Sequence, residues 1–138
     1  MKVIPMKIKI IAVIFGLVLL IPISAQSQIS LLDTEKVKDY LTLNPKQSTK
    51  INPTIEQIKN ILEEDKKIIE GVKERVKNDD EPGLFEKIGV KRGHDKRASQ
   101  IEDLIDEIED QLNSEQKNKF KNITKPGLKA LNKKELTE

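Results

Sequence analysis

The stretch that decides the fold is residues 51–76, INPTIEQIKNILEEDKKIIEGVKERV. Ile51, Ile55, Ile58, Leu62, Asp65, Ile69, Val72 and Val76 follow spacings of 4, 3, 4, 3, 4, 3 and 4, and seven of these eight positions are apolar. That spacing lays one continuous stripe along the side of a helix. Ile61 and Ile68 widen the stripe beyond the seam of a two-stranded coil, which suits packing in a bundle. Asn52-Pro53 has the form of a helix start, but Ile51 keeps the heptad phase across it. The phase predicts one helix begun at Pro45 and kinked at Pro53. Asp65 breaks the seam. As a polar seam residue it is read either as a partner for a lysine of a neighbouring helix or as the edge of a broad stripe.

A second seam follows at Ala98, Ile101, Ile105, Ile108 and Leu112, spaced 3, 4, 3 and 4, with Leu104 beside it. Between the seams, residues 78–83 carry turn chemistry (Asn-Asp-Asp-Glu-Pro-Gly). The stretch from there to Arg97 is read as an irregular loop, about 78–97, with at most one turn at 84–88. It holds a basic cluster of Lys87, Lys91, Arg92, Lys96 and Arg97, and His94 among them is expected to face solvent. Before the seams, residues 29–40 read as a short amphipathic helix capped by Ser30 with Asp33, with Val37, Tyr40 and Leu41 on its apolar edge. After them, the tail of about 125–138, opened by Lys125-Pro126-Gly127, is expected to be frayed. No alternating pattern indicates a strand, so the fold class is all-α.

One phrase occurs twice, LNPKQ at residues 43–47 and LNSEQ at residues 112–116. Asn44 stands three residues before Gln47, and Asn113 three before Gln116, the spacing of a capping box. There the Asn side chain accepts from the backbone N–H of the Gln, whose side chain reaches back to the N–H of the Asn. Pro45 fits the first helical position, where its missing N–H is not needed. Leu43 and Leu112 precede the caps, and Ile51 and Phe120 lie eight positions after them on the same face. Each phrase therefore reads as a helix start that also fixes the buried side.

Residues 1–25 have the layout of a secretory signal peptide: Lys2, Lys7 and Lys9, an apolar run over 10–21, then Pro22-Ile23-Ser24-Ala25. Cleavage is expected after Ala25, leaving one domain over 26–138; the competing reading is an uncleaved anchor, for which the apolar run is short. No cysteine follows the run, which excludes a lipid anchor at that site. The whole chain carries 25 basic and 23 acidic side chains. Three lysines and no acid lie in 1–25, which leaves 22 against 23, a net charge of −1. The basic balance thus belongs to the leader and does not argue for nucleic acid. The chain has no cysteine, so an exported domain must hold together by packing between helices or subunits.

With these features, the chain resembles the Spy/CpxP family of periplasmic helical proteins, known by an LTxxQ motif. The resemblance covers the leader, both phrases and the helices between them, about residues 40–123, with Asn where the family has Thr. It implies a long antiparallel helical hairpin, or thin bundle, that dimerises into a cradle. It also implies an ATP-independent chaperone or an envelope-stress regulator in the periplasm, or a secreted protein where no outer membrane exists. Unfolded or envelope proteins would be its partners. The width of the apolar stripes independently favours a homodimer.

Lys59, Lys66, Lys73, Lys77, Arg92 and Arg97 are the candidate contacts for such partners. No catalytic residue set is legible, because Gly83, Gly89 and Gly93 are scattered and nothing groups Ser, His and Asp. The acids Glu102, Asp106 and Glu109, with Asp103, Glu107 and Asp110 beside them, read as a solvated face rather than a cation site. One histidine does not make a metal site, so neither metal nor cofactor is expected. A metal-responsive role and a purely structural helical protein docking on one envelope partner are the competing readings.

Overall fold

The computed structural model describes residues 29–132 together with Lys134 and Leu136, and the leader read at 1–25 lies outside the described residues. In chain order the helices are α1 (Thr34–Leu41), α2 (Pro45–Lys77), α3 (Leu84–Asp110) and α4 (Ser114–Phe120). None of the described residues belongs to a strand ladder; an isolated bridge joins Ser30 to Thr124. The chain is all-α.

The seam of residues 51–76 forms a single helix, as its phase requires, and Pro53 lies inside it. Pro53 removes one backbone donor. The burial of Ile51, Ile55 and Ile58 on either side, each at most 1% exposed, offsets that loss. α2 is capped at Asn78, and Asp79 turns the chain with a left-handed backbone (φ 59°) that Asp tolerates better than most residues.

Residues 84–97 are not a loop. α3 starts at Leu84, directly after Pro82 and Gly83, and runs unbroken into the second seam. The sequence conceals this helix because its first turns have no buried stripe: Leu84, Phe85 and Ile88 are all exposed. Polar contacts to the end of α2 and to the connecting turn hold it instead. Arg75 bonds both Asp80 and Glu86, and Lys87 bonds Glu81.

The pairings Gln47 with Gln111, Asp65 with His94 and Arg75 with Glu86 climb α2 while descending α3, so the two long helices run antiparallel. The core between them is lopsided. Leu31, Val37, Leu41, Leu43, Ile55, Ile101, Ile108 and Phe120 fill the half nearest the two LNxxQ phrases. Toward the turn, Val72 is buried, whereas the seam positions Ile69 and Val76 are half-buried.

Two smaller expectations change. Asp33 alone caps α1, its carboxylate accepting from the Lys36 N–H, while Ser30 is used in the bridge to Thr124. The tail is not frayed over 125–132: it is irregular but packed, with Leu128 against the core and Leu136 8% exposed beyond it. Short-range periodicity cannot show this, because an extended segment takes its order from the surface beneath it.

Gly89 and Gly71 test the extent of α3 and α2. A methyl group at either meets nothing within 4 Å. Gly89→Ala should stabilise by about 0.5–1 kcal/mol, matching Gly71→Ala, because alanine favours a helix interior by that amount. Thermal melts read both; a loop at 84–97 would give no gain at Gly89.

Candidate functional site

Both capping boxes are complete. The Gln47 N–H donates to Asn44 Oδ1 at 2.8 Å and the Asn44 N–H to Gln47 Oε1 at 3.1 Å; the matching distances at Asn113 and Gln116 are 2.9 and 3.0 Å. The two boxes also meet. Gln47 Nε2 donates to Gln116 Oε1 at 2.8 Å, and Gln116 Nε2 returns a bond to Gln47 Oε1 at 3.1 Å. The second hydrogen of each amide crosses to the turn before the other helix: Gln47 to the Gln111 carbonyl at 2.9 Å, Gln116 to the Leu41 carbonyl at 3.1 Å. Each side-chain amide thereby uses both donors and both acceptor sites. The phrase is a helix start and also a tertiary clamp, with Leu43 and Leu112 buried beside it.

Midway along the α2–α3 interface lies a buried ionic cluster. Asp65 and His94 are each 4% exposed. His94 Nδ1 donates to the Asp65 carboxylate at 2.8 Å, and Arg97 Nε donates to the same oxygen at 2.9 Å. The other ring nitrogen, Nε2, lies 2.6 Å from the carbonyl oxygen of Lys129 in the tail. Both ring nitrogens face oxygens, a carboxylate on one side and a backbone carbonyl on the other. Gly93 leaves room for the guanidinium, since a Cβ there would stand 3.1 Å from an Arg97 terminal nitrogen. Two sequence expectations are therefore corrected. His94 does not face solvent, and Asp65 pairs with a histidine and an arginine of its own chain rather than with a partner's lysine or at a stripe's edge.

The candidate contact residues divide. Lys66, Lys73, Lys77 and Arg92 are exposed, and Lys59 pairs with Glu56 at 3.0 Å. Arg97 does not join them, because its side chain is 12% exposed and bound to Asp65. The hydrogen bonds it donates to Glu86 and then to Asp80 hold the Arg75 guanidinium above its ordinary range. Burial pushes the Lys125 ammonium below the usual lysine range, opposed by Glu109.

On one face, α2 and α3 leave a shallow groove of about 400 Å³ with Ile61 and Leu104 as its floor and Gln57, Asn60, Gln100 and Asp103 around it. At the turn end, Leu84, Phe85 and Ile88 are 71%, 88% and 40% exposed. Among the described residues no group of three or more carboxylates and imidazoles is gathered as metal ligands would be, and no helix is long and apolar enough to cross a membrane. The chain matches no family model, no curated protein and no solved structure in comparisons with each.

The glutamine clamp separates capping from tertiary bonding. A capping box accepts Glu as well as Gln, but Gln116→Glu removes both crossing donors and sets a carboxylate against the Leu41 carbonyl. It should cost about 2–3 kcal/mol in urea unfolding, more than the roughly 1 kcal/mol of Asn113→Ala. A smaller loss for Gln116→Glu would mean the phrase only caps. At the ionic cluster, Asp65→Leu leaves the buried Arg97 guanidinium and the His94 ring nitrogen without their acceptor and should cost about 3–5 kcal/mol; a neutral result would place His94 and Arg97 in solvent.

Proposed function

We propose that this chain is an exported, ATP-independent binding protein of chaperone or envelope-stress regulator type, with unfolded or envelope proteins as partners. The carrying observation is the exposed apolar group at the turn end. Phe85 is one of three aromatic residues after the leader, and it stands almost fully in water beside Leu84 and Ile88. Isolated exposed apolar residues are ordinary, but three at one helix start, ringed by charge, mark an interaction surface.

The surroundings support the same reading. Lys73, Lys77 and Arg92 are exposed around that end, and the Ile61–Leu104 groove is a second apolar surface farther along the helices. Charged borders speed encounter and apolar contacts provide grip, a combination suited to weak and varied partners. The resemblance to Spy/CpxP proteins supports a periplasmic location and a cradle-like homodimer, in which the Ile61–Leu104 face would turn toward a second copy or a client. Export rests on the leader of residues 1–25.

Scattering assays of two unrelated denatured proteins test the reading. The purified chain should slow their aggregation without ATP, and Phe85→Ser combined with Leu84→Ser should weaken the effect at least about threefold while circular dichroism stays helical. Replacing Lys59, Lys66 and Lys73 together by glutamate should alter binding and its salt dependence. Failure to protect any denatured protein, together with one tight partner in a pull-down, would favour the single-partner docking reading. Sequencing of the exported product should begin at or near Gln26.

A further inference from the structure

The face opposite the Ile61–Leu104 groove is already occupied, by the chain's own tail. Residues 121–132 leave α4 and run back along α3. The Thr124 bridge to Ser30 fixes their start, and the His94 bond to the Lys129 carbonyl fixes them farther along. Between these anchors the contacts are made by side chains. The Lys125 ammonium lies 4.4 Å from the centre of the Phe120 ring and is attracted to Glu109, and Leu128 packs on the core. Beneath them α3 presents Ala98 and Ile105 as a floor and Glu102, Asp106 and Glu109 as an acidic wall, with about 340 Å³ left unfilled.

We infer that this strap is a tethered occupant of a peptide groove. The segments that compete for the groove are non-helical stretches of unfolded chain in which lysines precede an apolar residue. The occupant on the structure displays that chemistry itself: Lys121, Lys125 and Leu128 line the groove over an apolar floor and three carboxylates. The backbone of residues 125–132 is irregular, so the segment lying on the groove is not a helix. The inference rests on the reading of this protein as a binder of unfolded chain and assigns it a second surface with a stated preference. A tethered segment competes at an effective concentration on the order of millimolar, so the strap masks the groove until it is loosened or outcompeted.

The test uses a fluorescent synthetic peptide, ITKPGLKALN (residues 123–132), and the purified protein, followed by anisotropy. Leu128→Ser and Lys125→Glu each weaken the strap in the protein but leave the peptide unchanged. Each should tighten peptide binding by about tenfold or more over wild type, because the tethered competitor is weakened. Adding Glu102→Lys and Asp106→Lys to either should abolish the gain. If Leu128→Ser unfolds, Lys125→Glu carries the test, since it changes charge on a half-exposed residue. Faster tryptic cleavage after Lys129 verifies that the strap is loosened. A loosened strap with no tighter binding, or tighter binding that survives the two reversals on α3, overturns the groove. Aggregation suppression that persists without any peptide gain would sink the groove alone. A peptide gain without suppression of aggregation would sink the chaperone reading and leave the groove.

Discussion

Two side-chain amides hold the ends of this fold together. Gln47 and Gln116 sit in helix starts 69 residues apart, and each donates to the other's oxygen and to the carbonyl of the turn that precedes the other's helix. Because every donor and acceptor on the two amides has a partner, the pair can be buried without the penalty that an unmatched polar group incurs. It also fixes register. Slipping α2 against α3 by one turn would separate the amides and leave up to four hydrogen bonds unmade. Around that clamp Leu43, Leu112, Ile51 and Phe120 close the apolar end of the core.

Away from the clamp the chemistry holding the helices together changes. The apolar core thins toward the turn, and the Asp65–His94–Arg97 cluster takes over the contact between α2 and α3. Buried ionic groups of this kind contribute little net stability when intact, and they penalise any arrangement that leaves one of them unpaired. The cluster therefore specifies more than it stabilises. Through the Lys129 carbonyl His94 also anchors the tail, so a residue that aligns the long helices helps to position the strap. The turn end, with few buried apolar side chains, is left free to display Leu84, Phe85 and Ile88.

Much of this was legible in the sequence wherever one helix face is apolar. The heptad phase of Ile51–Ile55–Ile58 carried α2 through Pro53, and the Asn–Gln spacing identified both capping boxes. What the sequence hid is what depends on distant partners. The first turns of α3 carry their apolar residues outward and are held by Arg75 and Lys87, so no stripe announced a helix. His94 looked like a solvated residue because Asp65, its partner, lies 29 positions away, and only an antiparallel pairing of the two helices brings them together. The one available signal was Asp65 itself, a carboxylate in the seam that needed a cation facing it. That the two capping glutamines touch was also out of reach, since a capping box is complete without it.

The most direct measurement is a double-mutant cycle on Gln47→Ala and Gln116→Ala, followed by urea unfolding of the purified chain. Both single variants lose a capping side chain, so the cap terms cancel and the coupling reports the amide pair. A clamp that joins the two helix starts predicts a coupling of about 1–2 kcal/mol. Additivity within about 0.5 kcal/mol would contradict it and reduce the two phrases to independent helix starts.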